Sequence, residues 1–562
     1  MKTVIDTARP RNILCVYPRH TNGYPNFSYA FRLFPNTKAL MPPLGLLIIA
    51  AYLPRAFHVR FVDEDVCPAT DVDYRWADVI MTSGTHSQRH LLIAIAERAR
   101  RFGKLSVIGG PSASACPEDY PQFDIIHAGE LGDATDELIT AIEAGAEMRA
   151  DPAAPPRIFR TKERLPIEQF PIPAYHLLQA TDYLMLNIQW SSGCPYTCEF
   201  CDIPELYGRK PRYKTPGRLI EELDAIVAQG PLGAVFFVDD NLVGNRRAFR
   251  QVLVELVAWQ KRNGYPLRFV GESSLNLAQD EEILRLMRDA AFIELFIGIE
   301  TAEVEALLQM SKAQNVRMPM LEAVRRINDH GISVSAGIIL GLDTDTDRTV
   351  DNICEFIEQA HIPLAVINML YAPPKTPLRR RLEAEGRLIE DSEVTDSNIR
   401  FKAPAEVVRR RWEDTIRRCF EPSAVFARFR HAARFTHPNR APIPRRRVSW
   451  SQVKTGVSTI LATIQRLGIE APYRGEFWWL SLALLRRGDL EALLHFAAMG
   501  YHMIQYREEV LAGNAQPCIH TEAAAKPGES RPEPLERLIP LLSSRPVKPA
   551  AERRAEGARA LR

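Results

Sequence analysis

Between residue 11 and about residue 145, short apolar runs alternate with longer amphipathic stretches. The runs at 13–17, 58–63, 78–82, 105–109 and 124–127 have the length and composition of buried strands. Residues 44–53 are apolar nearly throughout and predict a helix, as does the helical spacing of apolar residues at 91–101 and 133–142. Buried strands alternating with helices predict a doubly wound α/β domain over residues 1–145. Such a sheet takes its ligand in the crevice beyond the carboxyl ends of its strands. Residues 146–183 interrupt the pattern with charge and with Pro152, Pro155, Pro156, Pro166, Pro171 and Pro173, which predicts a linker. A second series follows, with strands at 186–191, 233–238, 267–272, 293–299, 334–340 and 364–370. Helices are expected between them at 216–228, 246–262, 280–289, 318–329 and 349–359. Six strand–helix repeats predict a partial (β/α)6 TIM-like barrel over 184–400, with its chemistry at the carboxyl ends of the strands. Residues 401–512 show helical patterning, arginine clusters at 409–411, 417–418 and 445–447, and no strand signal, hence a helical C-terminal domain. Residues 513–562, rich in Ala, Pro, Arg and Glu, predict a disordered tail.

The chain of 562 residues is too long for one core, in keeping with several domains. A net charge of +2 provides no global field for nucleic acid, so no nucleic-acid partner is expected. No apolar run reaches the length of a spanning helix, and the N-terminus lacks the apolar core of a signal peptide. Cys15, Cys67, Cys116, Cys354, Cys419 and Cys518 are scattered and form no disulfide framework. A cytoplasmic protein is expected.

The remaining cysteines carry the chemistry. Cys194, Cys198 and Cys201 stand at Cys-x3-Cys-x2-Cys spacing, in the loop after the first barrel strand. Three thiolates can hold three irons of a [4Fe–4S] cube and leave the fourth iron open to a substrate. Zinc usually wants four ligands in two separated pairs, and no second Cys/His pair lies nearby. The stretch from Ser191 to Cys201, with Phe200 before the last cysteine, resembles the signature of the radical S-adenosylmethionine (radical SAM) enzymes. The resemblance implies that Cys194, Cys198 and Cys201 ligate a [4Fe–4S] cluster. It also implies that S-adenosylmethionine binds the open iron and is cleaved to a 5′-deoxyadenosyl radical. Phe200 is expected at the cofactor. Asp239 and Asp240 occupy the place of the family's glycine–glycine–glutamate stretch and are candidate contacts to the methionyl amine, with a helix cap or strand-end turn as the alternative. Glu272 and Ser273, and Glu300, end the third and fourth strands, where polar groups can face the ribose and the methionyl group, with surface carboxylates on loops as the alternative. Gly337 and Gly341 resemble the fifth-strand glycines that let the backbone approach adenine. Lys375 replaces the glycine of a Pro-Gly-Thr-Pro turn common in relatives, so that turn differs in shape or carries a substrate contact.

A nucleotide in the first domain would need a Gly-x-Gly-x-x-Gly turn after the first strand, and Tyr17-Pro18-Arg19-His20 is not one. The domain instead resembles the cobalamin-binding domain found ahead of many radical SAM barrels, through Pro43 and Gly45, Ser83 and Gly84, Gly109 and Gly110, and Gly129 and Glu130. Thr85-His86-Ser87-Gln88-Arg89 lacks the Asp and Gly of the Asp-x-His-x-x-Gly motif, which implies a cobalt without a histidine ligand. His86 and His90 read as polar loop or helix residues. Residues 10–400 thus resemble the cobalamin-dependent radical SAM family. The cysteine motif and the helical extension, with Phe477-Trp478-Trp479-Leu480 and Tyr501-His502, are similar to the branch that includes hopanoid C-2 methylases. This implies methylation of an unactivated carbon of a lipid-like or natural-product substrate, through the deoxyadenosyl radical and methylcobalamin. Cyclisation, ring contraction or another skeletal rearrangement, or a non-catalytic corrinoid-binding role, are the alternatives. An electron donor such as flavodoxin or ferredoxin is implied. The apolar run 477–485, flanked by Arg474, Arg486 and Arg487, reads first as a buried helix, with peripheral membrane contact as the alternative.

Overall fold

The computed structural model of the chain describes residues 10–20, 24–230, 233–389, 397–444, 450–515 and 517. Six parallel strands form the first sheet: β1 (Asn12–Tyr17), β2 (His58–Asp63), β3 (Val79–Ser83), β4 (Leu105–Gly109), β5 (Ile125–Ala128) and β6 (Arg157–Arg160). Their order is β2-β1-β3-β4-β5-β6. The alternation of side chains along β1 explains the two layers of helices. Ile13 and Cys15 pack with Leu46 and Ala50 of the helix Leu44–Tyr52 on one face. Leu14 and Val16 pack with Tyr74, Ile95 and Ala99 on the other. The strand order reverses at β1, so the ligand crevice of a doubly wound sheet lies at the carboxyl ends of β1 and β3.

The stretch 146–183 is not the free linker expected from its prolines. It contributes β6 to the sheet, then three short 3₁₀ turns that bury Ile167, Phe170 and Tyr175. The Tyr175 hydroxyl donates to the Asn187 carbonyl at 2.7 Å, tying this segment to the next domain. The edge strand escapes a sequence reading because Arg-Ile-Phe-Arg is mostly exposed and has no buried run.

The second sheet follows the expected strand series closely. Its members are β7 (Leu186–Ile188), β10 (Ala234–Phe237), β11 (Arg268–Ser273), β12 (Phe292–Glu300), β13 (Ser333–Leu340) and β14 (Leu364–Met369), all parallel. Between β7 and β10 lies a small antiparallel pair, β8 (Ser191–Ser192) with β9 (Arg212–Tyr213). The order β14-β13-β12-β11-β10-β7 is sequential, with β7 and β14 as the edges of an open six-stranded barrel. The helices Pro216–Val227, Arg246–Arg262, Glu281–Asp289, Met320–Asp329 and Thr349–Gln359 cover it. Thr215, Asn245 and Asp280 cap three of these through the backbone N–H groups of Arg218, Ala248 and Ile283. Phe237, Phe269 and Phe292 form a buried aromatic cluster with ring centroids 5.3–5.4 Å apart.

The C-terminal region is helical as expected, with Ala405–Cys419, Pro422–His431, Trp450–Thr463 continuing into Ile464–Glu470, Arg474–Arg486, and Leu490–Leu511. The indole of Trp412 donates to the Ile367 carbonyl at 2.9 Å, so these helices pack on the barrel. In the apolar run 477–485, Phe477, Leu480 and Leu484 are buried, whereas Trp479, Leu482 and Leu485 are exposed. Residue 516 and residues 518–562, most of the expected tail, lie outside the described residues. The Pro517 carbonyl accepts from Met369 N–H at 2.7 Å. Among the described residues no helix is long and apolar enough to cross a membrane.

Candidate functional site

The cysteine loop leaves β7 through Trp190 and Ser191, and its path is set by a buried carboxylate. Asp239, at the carboxyl end of β10, accepts from the backbone N–H groups of Trp190 and Ser191 and from the Ser191 hydroxyl. Both Asp239 oxygens are therefore engaged by the chain itself. Gly193 follows at φ +93°, and a Cβ there would lie 2.7 Å from the Gly208 carbonyl, so only glycine fits the turn. Asp240 accepts from Gly193 N–H at 2.7 Å, one residue before Cys194. Cys194 N–H donates to Gly208 O, Glu199 N–H to Met310 O, and Leu378 N–H to Glu199 O. The first of these bonds closes the loop on the segment before β9, and the other two bolt it to segments that follow β12 and β14.

Cys198 is buried, and Cys194 and Cys201 are half-buried. Burial raises the Cys194 and Cys201 thiols, and the neighbouring cysteines add to this. Among the described residues no three such side chains converge on a single ion, and three thiols spread along one loop suit a cluster that spends one thiolate on each iron. Gln314 donates its amide to the Cys198 sulfur at 3.4 Å. Lys312 is buried against Glu300, with its ammonium 5.5 Å from the Phe200 ring centroid. Burial works against the Lys312 charge, yet Glu300 and the thiols of Cys198 and Cys201 outweigh it and raise its pKa. Lys312 and Gln314 escaped the sequence reading. They stand in a short turn without periodicity, and the one hint is Gly298, whose Cβ would collide with the Glu300 carboxylate and Lys312.

The other candidates at the barrel strand ends divide by what they touch. Glu272 and Ser273 end β11. Among the described residues the Glu272 carboxylate takes no hydrogen bond, and burial, then Asp240 and Asp239, push it up to about 7. Asp240 is likewise pushed to about 7 and Asp239 to about 6, chiefly by burial. A half-buried carboxylate beside two others attracts a cationic group. Glu300 is held by Lys312 instead of pointing outward. Gly337 lies under the Phe296 ring, and Gly341, at φ +89°, lies against Phe401. Phe200 lines an open pocket of about 350 Å³ with Met310, Leu342 and Leu370, edged by Arg381 and Asp343. Lys375 adopts φ +65°, so the turn keeps the left-handed step that glycine favours. Its ammonium donates to the Ser114 carbonyl of the first domain at 3.1 Å.

In the first domain the strand ends converge on small residues. Gly110, after β4, approaches the end of β3 so closely that a Cβ would lie 2.1 Å from the Ser83 hydroxyl. Gly109 and Gly84 flank this contact, and Gly129, after β5, takes a bond from its N–H to Ser114 Oγ at 2.9 Å. Pro43 precedes the helix Leu44–Tyr52, and Gly45 in its first turn faces open space. A floor with so few side chains leaves room for a large flat group. His86 Nδ1 pairs with the Ser112 hydroxyl at 2.9 Å. Glu130 turns away from this floor toward the barrel, where it accepts from Ser192 Oγ at 2.8 Å and pairs with Arg212 at 2.5 Å and Arg164 at 3.3 Å.

The carboxyl ends of β1 and β2 hold a second acidic cluster. Asp63 accepts from Tyr183 at 3.1 Å and from Asp65 N–H at 3.0 Å, and His20 pairs with Asp65 at 2.5 Å. Burial, then the Asp65 charge, push Asp63 from 3.8 up to about 7. An acid raised on folding contributes stability that is full below its unfolded value and lost as the pH rises through its folded value. Asp63→Asn, neutral at every pH, is therefore expected to melt higher than the parent near pH 8 and at the same temperature near pH 4. Identical melting profiles for the two proteins would refute this assignment.

A doubly wound domain set over an open six-stranded barrel with three thiols in its first loop defines the class: a radical SAM enzyme of two cofactor domains. Residues 188–357 match the radical SAM superfamily, and residues 376–516 match a domain of unknown function (DUF4070). The hopanoid C-2 methylase of Rhodopseudomonas palustris (strain TIE-1) is 46% identical over 92% of this chain and 98% of its own length. An uncharacterised methyltransferase of Synechocystis is 32% identical over 88% of this chain and 92% of its own. The fold matches that of the cobalamin-dependent S-adenosylmethionine radical enzyme OxsB, solved with aqua-cobalamin and S-adenosylmethionine, at a TM-score of 0.56 and 15% identity, over 90% of this chain and 80% of that one. The chain belongs to the cobalamin-dependent radical SAM family, in the branch that contains the hopanoid C-2 methylases.

Proposed function

We propose that this C-methyltransferase acts on a hopanoid, adding a methyl group to the unactivated carbon C-2 of the lipid's ring system. The observation that carries the substrate is the 46% identity to a hopanoid C-2 methylase over nearly the whole of both chains, the C-terminal helices included. Bound together, a [4Fe–4S] cluster, S-adenosylmethionine and cobalamin supply hydrogen abstraction from such a carbon and the methyl group that replaces the hydrogen. In this reading Cys194, Cys198 and Cys201 hold the cluster, and Asp239 and Asp240 hold the loop that presents them. Glu272, with Ser273 beside it, meets the ammonium group of S-adenosylmethionine. Phe200, Gly337 and Gly341 border its adenosyl half. Pro43, Gly45, Ser83, Gly84, Gly109, Gly110 and Gly129 form the seat of the corrin, and Glu130 braces that seat against the barrel. A low-potential donor of the flavodoxin or ferredoxin type supplies the electron, and the free thiols of the described cysteines suit the reducing cytoplasm.

The test is an oxygen-free reaction of the loaded enzyme with a detergent-dispersed hopanoid, a strong reductant and S-adenosylmethionine carrying a deuterated methyl group. Gas chromatography with mass spectrometry is expected to find the labelled methyl at C-2. Labelled methyl at another ring carbon would overturn the C-2 position, and an unmethylated hopanoid alongside freshly formed 5′-deoxyadenosine would assign the enzyme a different substrate.

A further inference from the structure

We infer that one face of the C-terminal helices seats this enzyme on the surface of an anionic phospholipid bilayer. The inference rests on the lipid-substrate reading and adds how the enzyme reaches that lipid. On the helix Arg474–Arg486, Phe477, Leu480 and Leu484 point into the core, and the opposite side presents Trp479 at 61%, Leu482 at 50% and Leu485 at 49% exposure. Phe435, 50% exposed, lies near the far end of the same helix, where Arg487 reaches the Ala433 carbonyl at 2.9 Å. The preceding helical segments add Val457, Leu461 and Ile469, all exposed. A soluble chain rarely leaves this many large apolar side chains on neighbouring helices without a use for them.

The charges around these residues select the occupant. Arg430 lies over the Trp479 ring at 4.9 Å, and Arg434 over the Phe435 ring at 5.1 Å. Arg474, Arg486 and Arg487 flank the apolar side chains, and across residues 428–440 and 450–487 the acidic residues are Glu470, which pairs with Arg466, and Glu476, which pairs with Arg430. Guanidinium groups ringing exposed Trp and Leu match phosphate headgroups above acyl chains. A second copy of this face would bring arginines against arginines. With no spanning helix among the described residues, the helix lies along the interface with its apolar side down. The barrel packed on these helices then stands beside the layer in which a polycyclic lipid dissolves.

Full-length loaded enzyme is mixed with phosphatidylcholine vesicles, or with phosphatidylcholine–phosphatidylglycerol vesicles, and sedimented. Binding is expected to the anionic vesicles, weaker binding to the neutral ones, and loss of binding in high salt. The double variant Trp479→Glu/Leu482→Glu is expected to lose vesicle affinity by on the order of tenfold or more, because charge cannot enter the acyl boundary. Both proteins should melt alike and methylate detergent-dispersed hopanoid alike, which keeps this test separate from that of the substrate. Arg474→Ala/Arg486→Ala/Arg487→Ala, which leaves the apolar face intact, should weaken binding to anionic vesicles alone. Parent protein that stays in the supernatant, or a double variant that binds as the parent does, would overturn the inference. A dimer in analytical ultracentrifugation that the double variant loses, without vesicle binding, would assign the face to a second copy instead. Vesicle binding that begins only after proteolysis removes residues 518–562 would assign it to the chain's own tail.

Discussion

Cys198→Ala, reconstituted with iron, sulfide and hydroxocobalamin, is expected to form no 5′-deoxyadenosine while retaining the cobalamin spectrum of the parent. A cube with one open iron needs all three thiolates, and Cys198 is the buried one, with Gln314 donating to its sulfur. Removing it leaves an iron with no protein ligand in a loop that has no other cysteine to offer. The first domain does not depend on that sulfur, because the contact from Glu130 reaches Ser192 and Arg212, outside the cysteine triplet. Mass spectrometry of the reaction and the visible spectrum of the bound corrin read the two halves separately. A variant that loses corrin and cleavage together would contradict two separable cofactor sites.

The second large effect is expected at a residue that carries no cofactor in this reading. Asp239→Ala should strip most of the iron from the reconstituted protein and lower its melting temperature. The substitution leaves the buried N–H groups of Trp190 and Ser191 without an acceptor, at about 1–3 kcal/mol for each unpaired group. It also frees the chain where it turns from β7 into the cysteine loop. Asp239→Asn keeps one oxygen for Ser191 but turns an amide toward the Trp190 N–H, so it should fall between alanine and the parent in iron content and in stability. Iron and sulfide analysis with thermal melts decides the matter. Parent levels of both in the alanine variant would show that the loop holds its path without this carboxylate.

Asp239 also marks where a sequence reading stops. Its place at the end of a barrel strand was legible, because Ala-Val-Phe-Phe is an apolar run of strand length followed by an abrupt Asp-Asp-Asn. Its direction was not: Asp239 turns back into the chain, while Asp240 holds Gly193. Barrel strands such as β13 were readable because their apolar run is buried at all but one position, and β6 was not, because an edge strand needs no apolar run. Lys312 and Gln314 come to the cysteines through a loop whose course follows from tertiary packing alone. Glu130 was placed with Gly129 among the pieces that resemble a corrin seat, and its charge answers Arg212 and Arg164, residues too distant along the chain for spacing to connect them. At Lys375 the substitution for glycine signalled a changed turn. The backbone keeps the left-handed step and uses the side chain to reach Ser114.

The Glu130 brace bears on how such a chain can be divided or inherited. Ser192 and Arg212 form the small strand pair that brackets the cysteine loop, and the charge that completes it comes from the other domain. A gene split between the two domains would therefore leave the second product with its cluster loop missing a wall. Recombination that exchanged the first domain for another would need to carry the glutamate with it. Part of the second domain's cysteine loop is thus written in the first.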